Sequence, residues 1–395
     1  MNTSLLTDEI FGKWKKEGQE FSDIRVAWDW IKYSARMFSI NYSKARAKTK
    51  REKKEKLQRK MQIAQTQFEQ NPCEEVENIL KECKAELENL YEEKANGLIV
   101  SARARWYEYG EKSTKYFLSL EKRNYTRKHI RKLCLSGVIT KNYQKILDSS
   151  SEYYKKLYSS KLNVSQSDVL DLFLGNPNIP ALSEKERLSC ESHITAEECV
   201  EALDTFDARK TPGNDGIPAE FYKIFWNPVG VFMTEVFNHS FLLGQMPSSQ
   251  QQAVITLIDK KGKDRMFLEN WRPISLINVD SKIVSGVIAN RINVLPGIIH
   301  SNQSGFMKGR FIGETARSLL NIIAHTEALK LPGVLLFIDF EKAFDSIEHN
   351  FLYKALERFD FGPSFIRWIQ TFCNNLSSCF LNNGFSLLLF NLKGG

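Results

Sequence analysis

The fold class depends most on one stretch of nine residues, Phe337-Ile338-Asp339-Phe340-Glu341-Lys342-Ala343-Phe344-Asp345. Before it, the Pro332-Gly333 break is followed by an apolar run over 334–338, which predicts a buried strand. This strand would end at the carboxylate of Asp339. A bulky aromatic side chain, Phe344, follows five residues later, and the acid after it opens a predicted helix. The stretch therefore predicts a strand that delivers an acid at its end, with a large side chain nearby.

Asp339 is the candidate metal ligand of this stretch. Mg²⁺ prefers hard oxygen ligands, so carboxylates at the ends of adjacent strands are its natural supply. The carbonyl of Phe340 could add a second oxygen. Taken alone the acid is weak evidence, because a loop aspartate satisfied by turn amides is commoner. Asp345 has another prediction, since Asp345-Ser346-Ile347-Glu348 is a capping box that favours a helix cap over a metal ligand.

Length and composition predict a folded protein of two or three domains. The chain has 395 residues, and 42% of them are hydrophobic. No apolar run approaches the ~20 residues that a membrane span requires, and Phe11 to Glu20 is too charged for a signal-peptide core. The seven cysteines form no CxxC pair, which favours free thiols over a disulfide framework or a zinc site. We expect an intracellular protein without a membrane partner, in the nucleus or the cytoplasm.

Charge is distributed unevenly along the chain, although the net charge is only +8. Ten of the seventeen residues in 44–60 are Lys or Arg, and eight more bases lie in 112–132. Between residues 148 and 207 the balance reverses, to twelve acids and five bases. A basic front half indicates a face for polyanions, although a single charge run can equally be a solvated helix face.

The front of the chain is predicted to be helical. Residues 1–43 are rich in aromatic side chains and favour one or two packed helices, and 44–70 reads as a charged helix with a thin apolar seam. Asn71 and Pro72 are a plausible cap and first position of the next helix. Apolar residues at heptad-like spacing then predict a helical hairpin, too short for an extended coiled coil: Val76, Leu80, Cys83, Leu87 and Leu90.

The rest of the chain predicts helices interrupted by a few strands, which is an α+β pattern. Thr195 begins a capping box, and Gly244 is a helix stop signal. Residues 253–258 favour a strand, with a turn at 260–264. Further helices are predicted at 281–295, 313–331, 349–359 and 363–374, and Asn382-Asn383-Gly384 predicts the turn of a closing hairpin.

Four motifs occur in one order along the chain. They are Thr211-Pro212-Gly213-Asn214-Asp215-Gly216-Ile217-Pro218-Ala219-Glu220-Phe221-Tyr222, Asn270-Trp271-Arg272-Pro273-Ile274-Ser275-Leu276, Gln303-Ser304-Gly305-Phe306 through Gly309-Arg310, and residues 337–347. Together they resemble the fingers and first palm motifs of reverse transcriptases, in the form found in non-LTR retrotransposons of the long interspersed element (LINE) type. The resemblance extends from about residue 20 to the end.

The resemblance implies a nucleotidyl-transfer site that uses two Mg²⁺ or Mn²⁺ ions, with Asp339 as a metal ligand. Arg272 matches the fingers arginine over the incoming nucleotide, and Lys260 or Lys261 lies near the triphosphate-binding lysine. Each lysine could equally be a solvated turn residue. Phe340 and Phe344 would complete the nucleotide site, Phe344 by crowding the sugar 2′-position. The implied partners are an RNA template, a DNA primer and deoxynucleoside triphosphates.

A second candidate surface interleaves basic and aromatic side chains. Cations neutralise phosphates and release counterions, whereas aromatics can stack on splayed bases. We expect RNA or template contact, rather than a plain charged helix, from Arg103, Arg105, Trp106, Lys112, Lys115, Tyr116, Arg123, Arg127 and Lys128.

The expected domains are a basic helical linker at 1–135, a helical connector at 136–210, fingers at 211–332 and a partial palm at 333–395. The family's Arg-Gln-Gly and Tyr-x-Asp-Asp motifs are missing from this sequence, so we expect a truncated polymerase that lacks activity by itself. The alternatives are an inactive remnant that binds RNA or DNA through its basic helices, and a helical interaction protein that uses the seam at 76–90.

Overall fold

The protein combines helices with two small sheets in its described residues, as expected for an α+β fold. The computed structural model describes residues 12–14, 16–18, 20–102, 129–159, 175, 179–340, 342–343, 345, 347–382, 385–386 and 390–391, with 94–102 described by their backbone alone. Its residues group into two compact units. The larger unit holds 1–33, 142–256 and 273–395, and the smaller unit holds 34–141 and 257–272.

In chain order the helices are α1 Ile24–Gln70, α2 Glu74–Ala102, α3 Tyr143–Leu157, α4 Glu184–Ser189, α5 Ala196–Asp204, α6 Ala219–Ile224, α7 Trp226–Leu243, α8 Val279–Arg291, α9 Ile312–Ala328, α10 His349–Arg358 and α11 Pro363–Cys373. Short 3-10 helices lie at Ser248–Gln251, Leu268–Asn270 and Ile292–Gly297. The strands are β1 Leu133–Leu135, β2 Val138–Thr140, β3 Gln252–Asp259, β4 Trp271–Leu276, β5 Ser377–Asn382, β6 Phe385–Ser386 and β7 Phe390–Asn391.

The core of the larger unit is built mainly from helices. Apolar faces of α5, α7, α8 and α11 enclose it, and Trp28 and Ile31 of α1 join it. Local signals set two of the helix ends. Thr195 accepts from the amide of Glu198 in the predicted capping box, and Gly244 ends α7 with a φ of 68°, which favours glycine. Both predictions are confirmed.

The main sheet has the strand order β4-β3-β5-β6, with β7 also pairing with β5. Strands β3 and β5 are parallel, with Gln252 opposite Ser377 and Ile255 opposite Phe380. Strand β5 returns as an antiparallel pair with β6, in which Asn382 lies opposite Phe385. Two positions therefore separate these strands, and the predicted closing hairpin is confirmed.

The smaller unit contains a helical hairpin, as the heptad-like spacing predicts. Ala64, Cys83 and Leu87 are buried in its thin seam. Two boundary predictions are wrong. Helix α1 is continuous through residue 44, because no glycine or proline interrupts 24–70, and α2 begins at Glu74 rather than at Pro72.

The buried strand predicted at 334–338 is wrong. Residues 331–340 form no strand and are all exposed, with Val334 95% and Phe337 78% accessible. A strand is stable only when a neighbouring strand accepts and donates its backbone hydrogen bonds. Among the described residues, the sheet order places no strand beside this segment. An apolar run by itself could not supply that partner.

No helix in the described part of the chain is long and apolar enough to cross a bilayer. The seven cysteines are free thiols, and Cys83, Cys190 and Cys199 are buried. Burial raises the pKa of the Cys199 thiol to about 12, so this side chain behaves as a packed apolar group rather than as a nucleophile.

Candidate active site

The hairpin of β3 and β4 brings Lys260 and Arg272 to one face. The amide of Lys260 donates to the carbonyl of Asn270 at 2.8 Å, and the hydroxyl of Thr256 donates to the carbonyl of Ile274 at 3.4 Å. Both contacts fit an antiparallel register in which Arg272 lies opposite residue 258. Since side chains alternate across a strand, Lys260 and Arg272 are diagonal neighbours on the same face.

Solvent exposure agrees with this register. Ile258, Arg272 and Ile274 are exposed, whereas Leu257 and Trp271, which point the other way, are only 5% and 3% accessible. Arg272 is therefore open to a ligand on this face and Lys260 is half-buried beside it, whereas the opposite face is packed at Leu257 and Trp271. Lys261 is exposed and lies in the turn that follows β3.

The turn between β3 and β4 is braced by its own side chains. Asp264 accepts from the amide of Met266 at 2.9 Å, and its carbonyl accepts from the Asn270 side chain at 2.8 Å. The Trp271 indole donates to the carbonyl of Arg265 at 2.9 Å, while the Arg265 guanidinium lies 4.9 Å from the ring centroid. These contacts join the two ends of the turn next to Lys260 and Arg272.

Asp339 and Phe340 lie on the exposed segment at 331–340, and Phe340 is 77% accessible. Phe344 lies outside the described residues. Within the described ranges, no group of three His, Cys, Asp or Glu side chains is arranged to hold a metal ion. The carboxylate of Asp339 and the carbonyl of Phe340 are oxygen ligands of the kind that Mg²⁺ prefers, but they are fewer than its octahedral coordination requires.

Asp345 does not cap a helix, so that prediction is wrong. Helix α10 begins at His349 after Glu348, which makes no side-chain capping hydrogen bond. Asp345 instead accepts a hydrogen bond from the hydroxyl of Tyr158 at 3.3 Å. A partner from 187 positions earlier in the chain replaces the local cap, and short-range sequence spacing gives no signal for such a contact.

The motif at 211–222 begins as a turn pressed against the start of α8 and ends in the first residues of α6. The Asp215 amide donates to the Asn278 side chain at 3.2 Å, and the Asp215 carboxylate accepts from the amide of Ile217 at 3.0 Å. A Cβ at Gly213 would overlap both the side chain and the backbone of Asn278. Glycine is therefore required by close approach of two chain segments, not by backbone angle.

A buried network of charged groups, missed in the sequence, lies behind this turn. Lys32 of α1 is 4% accessible, and its ammonium lies 2.8 Å from Asp280, 3.4 Å from Asp215 and 3.9 Å from Asp29. It also donates to the hydroxyl of Ser249. Asp29 in turn accepts from the amide of Ser249 at 3.2 Å. The network joins four segments that are distant in the sequence.

Asp280 is the most enclosed member, with no accessible surface. Its Oδ2 accepts from the Trp28 indole at 2.8 Å and from the Gln250 amide at 2.7 Å. Burial alone would raise the pKa of Asp280, but Lys32 and these donors outweigh it and lower the pKa below its ordinary value. Asp280 therefore stays ionised at neutral pH.

The other carboxylates of the network respond differently. Burial raises the pKa of Asp29 and of Asp215 above their ordinary values, against the pull of Lys32. Burial would lower the pKa of Lys32, but the three carboxylates overcome it and raise the pKa. One cation thus faces three acids, and Lys32 remains charged.

Arg310, in the third motif, supports the fold rather than a ligand. Its guanidinium donates to the carbonyls of Pro296, Ile299, His300 and Gln303 at 2.6–2.8 Å. These carbonyls lie in the last turn of the 3-10 helix at Ile292–Gly297 and in the segment that follows it, so Arg310 ties this stretch of backbone together. The nine basic and aromatic residues predicted to contact RNA, from Arg103 to Lys128, lie outside the described residues.

Residues 258–388 match the protein family described as reverse transcriptase (RNA-dependent DNA polymerase). The match begins within β3 and includes the hairpin of Lys260 and Arg272 as well as Asp339. The chain therefore carries a reverse transcriptase domain, and the α+β fold and the resemblance inferred from its motifs are confirmed.

The chain is also similar to proteins of transposons and other mobile elements. The chain is 30% identical over 94% of its length to the "Transposon TX1 uncharacterized 149 kDa protein" of Xenopus laevis, of which it covers 29%. It is 29% identical over 42% of its length to the "Probable RNA-directed DNA polymerase from transposon BS" of Drosophila melanogaster, covering 18% of that protein. It is 27% identical over 42% of its length to the "RNA-directed DNA polymerase from mobile element jockey" of the same species, covering 19% of that protein. The chain thus spans less than a third of each.

Proposed function

We propose that the chain is part of an RNA-directed DNA polymerase that extends a DNA primer on an RNA template, and that the β3–β4 hairpin binds the triphosphate of the incoming deoxynucleotide. The observation that carries this proposal is the shared face of Lys260 and Arg272, on which Arg272 is exposed and Lys260 is half-buried. A guanidinium forms forked hydrogen bonds with phosphate oxygens, and a neighbouring ammonium adds a point charge.

The register favours Lys260 over Lys261 as the triphosphate ligand. The backbone of Lys260 is paired with Asn270, so its side chain points to the same face as Arg272. Lys261 follows by one residue, and alternation directs its side chain elsewhere. Two cations on one braced hairpin suit a triphosphate, because they bind it without reorganisation of the turn.

Asp339 and the carbonyl of Phe340 would hold Mg²⁺, or Mn²⁺, together with phosphate oxygens of the substrate. When bound, the ion would neutralise charge on the phosphates and activate the attacking hydroxyl. Mg²⁺ commonly binds through one or two carboxylates plus substrate phosphates, so the donor types fit. Phe344 remains the proposed residue that selects deoxyribose over ribose.

A nucleotide titration tests the hairpin. A fluorescent deoxynucleoside triphosphate is added to the chain in the presence of Mg²⁺, and binding is followed by anisotropy. Lys260→Gln and Arg272→Gln should each weaken binding by about 10- to 100-fold, the range for a lost charge-assisted hydrogen bond. Lys261→Gln and Lys263→Gln, which remove the same charge from the same turn, should bind nearly as the wild type does. Equal losses in all four variants would contradict the proposed face.

The second candidate function is a nucleic-acid-binding module without polymerase activity. The exposed, unpaired segment at 331–340, which carries Asp339, favours it. Because this sequence is expected to be inactive by itself, the two functions are separated by primer extension on an RNA template with a longer protein that joins this chain to the Arg-Gln-Gly and Tyr-x-Asp-Asp motifs. Extension that disappears in Asp339→Ala supports the polymerase, whereas RNA binding without any extension supports the module. Primer extension that persists in the Asp339→Ala variant would contradict a catalytic role for this residue.

A further inference from the structure

The hairpin of α1 and α2 divides the basic residues of 44–60 into two groups. One group faces α2: Lys53 lies 2.8 Å from Glu86, Arg46 lies 3.4 Å from Glu93, and Lys50 also pairs with Glu93. Lys54 lies 4.8 Å from the ring centroid of Tyr91. The charges of this group are therefore compensated within the hairpin.

The other group points away from α2. At 3.6 residues per turn, Lys44, Lys48, Arg51 and Arg59 fall within about 80° of the helix circumference, roughly opposite the first group. All four are exposed, and Lys48 is 80% accessible at its side chain. They span 15 residue steps, or about 22 Å along the axis. We call these four residues the outer stripe.

Negative charge on this side of α1 is too small to neutralise the outer stripe. Glu52 lies 3.9 Å from Lys48, and Glu55 falls within the same sector. Exposed Lys56 lies beside the stripe, so five bases stand against two acids. Exposed pairs at this distance are weak and screened by salt. The stripe therefore keeps an excess of positive charge along one continuous helix.

We propose that the outer stripe binds the phosphate backbone of double-helical RNA. A row of fixed cations complements the regular phosphates of a duplex and gains free energy by releasing counterions. Single-stranded nucleic acid is usually bound with aromatic side chains that stack on its bases, but residues 44–60 contain no aromatic residue. The phosphate contact follows from these charges, whereas the choice of RNA over DNA rests on the proposed function.

The test compares two variants that lose the same charge. The stripe variant is Lys44→Gln/Lys48→Gln/Arg51→Gln/Arg59→Gln. The control variant removes four exposed lysines from α3 and α4: Lys145→Gln/Lys155→Gln/Lys156→Gln/Lys185→Gln. Binding of a labelled RNA hairpin, a single-stranded RNA and a DNA duplex is measured by anisotropy over a salt series. Because Gln, Lys and Arg have similar helix propensities, circular dichroism should show unchanged helicity in both variants.

We expect the stripe variant to bind the RNA hairpin at least about tenfold more weakly. The slope of log binding constant against log salt concentration should become less steep by about three to four, one for each lost phosphate contact. The control variant should bind almost as the wild type does, and Arg51→Lys/Arg59→Lys, which keeps the charge, should retain binding. Equal weakening by both quadruple variants would show a net-charge effect and overturn the proposal.

Two further results would overturn it. One is an effect of the stripe variant on single-stranded RNA but not on the hairpin, and the other is an effect on the DNA duplex alone. The assay contains no free deoxynucleoside triphosphate. Failure of the outer stripe is therefore distinguishable from failure of the nucleotide site, which the titration of Lys260 and Arg272 variants reports.

Discussion

Replacing Lys32 by Met should destabilise the larger unit severely. Met has a similar length, so the change removes the ammonium while keeping most of the packing. Asp280 would then be fully buried without a cation, and Asp215 and Asp29 would lose the same partner. Removing one partner of a buried ion pair typically costs about 3–5 kcal/mol, because the remaining charge is left uncompensated.

That loss translates into a large change in melting temperature. For a domain of 150–250 residues, 1 kcal/mol lowers Tm by about 2–4 °C, so Lys32→Met should melt about 6–20 °C below the wild type at pH 7.5. Differential scanning calorimetry or intrinsic fluorescence would measure it. The deficit should shrink as the pH is lowered, because burial already raises the pKa of Asp29 and Asp215 and both can take up a proton.

Lys53→Met is the matched control. Lys53 lies on the same helix and also sits 2.8 Å from a carboxylate, that of Glu86, but its side chain is 57% accessible whereas that of Lys32 is 4% accessible. Exposed pairs are screened by water and salt, so Tm should hardly change. Burial, not distance, is the variable that separates the two substitutions.

A double substitution checks the cause. In Lys32→Met/Asp280→Asn the amide oxygen can still accept from Trp28 and Gln250, and the most buried charge is gone. This variant should recover part of the lost Tm, since Asp215 and Asp29 remain. A single Lys32→Met variant that melts within about 2 °C of the wild type, or a double variant that melts below the single one, would refute the reasoning.

Two more predictions concern the same region. The hydroxyl of Tyr222 is buried without a hydrogen-bond partner among the described residues, so Tyr222→Phe should be neutral or stabilising by about 1 kcal/mol in urea unfolding. Burial raises the pKa of this phenol well above 10.0, so the free energy of unfolding of the wild type decreases when the pH rises above about 10, where the unfolded phenol loses its proton. Tyr222→Phe has no such proton, so its stability relative to the wild type should increase at alkaline pH. Gly213→Ala should destabilise the protein by roughly 1–3 kcal/mol, because the added methyl overlaps Asn278. Gly262→Ala is the control for backbone strain, since this position has free space but a φ of 76°. If Gly213→Ala were as stable as the wild type, the close approach of Gly213 and Asn278 would be contradicted.

Local chemistry made part of the fold predictable. The capping box at Thr195, the stop at Gly244, the strand around residues 253–258 and the hairpin near Asn382 are confirmed, because each depends on groups within a few residues of one another. The order of four motifs was enough to indicate the reverse transcriptase family. The assignment of Asp339 to metal binding stays a prediction.

Contacts between distant segments decided the rest. Residues 334–338 have the composition of a strand but no strand beside them in the described sheet, so they remain exposed. The sequence pattern shows Lys32 only as one more lysine on an aromatic-rich helix. Folding buries it among the carboxylates of Asp29, three residues away, and of Asp215 and Asp280, both more than 180 positions away. Sequence patterns report which groups a segment carries; only packing decides which of them meet, because burial and electrostatic pairing depend on neighbours that the local sequence does not contain.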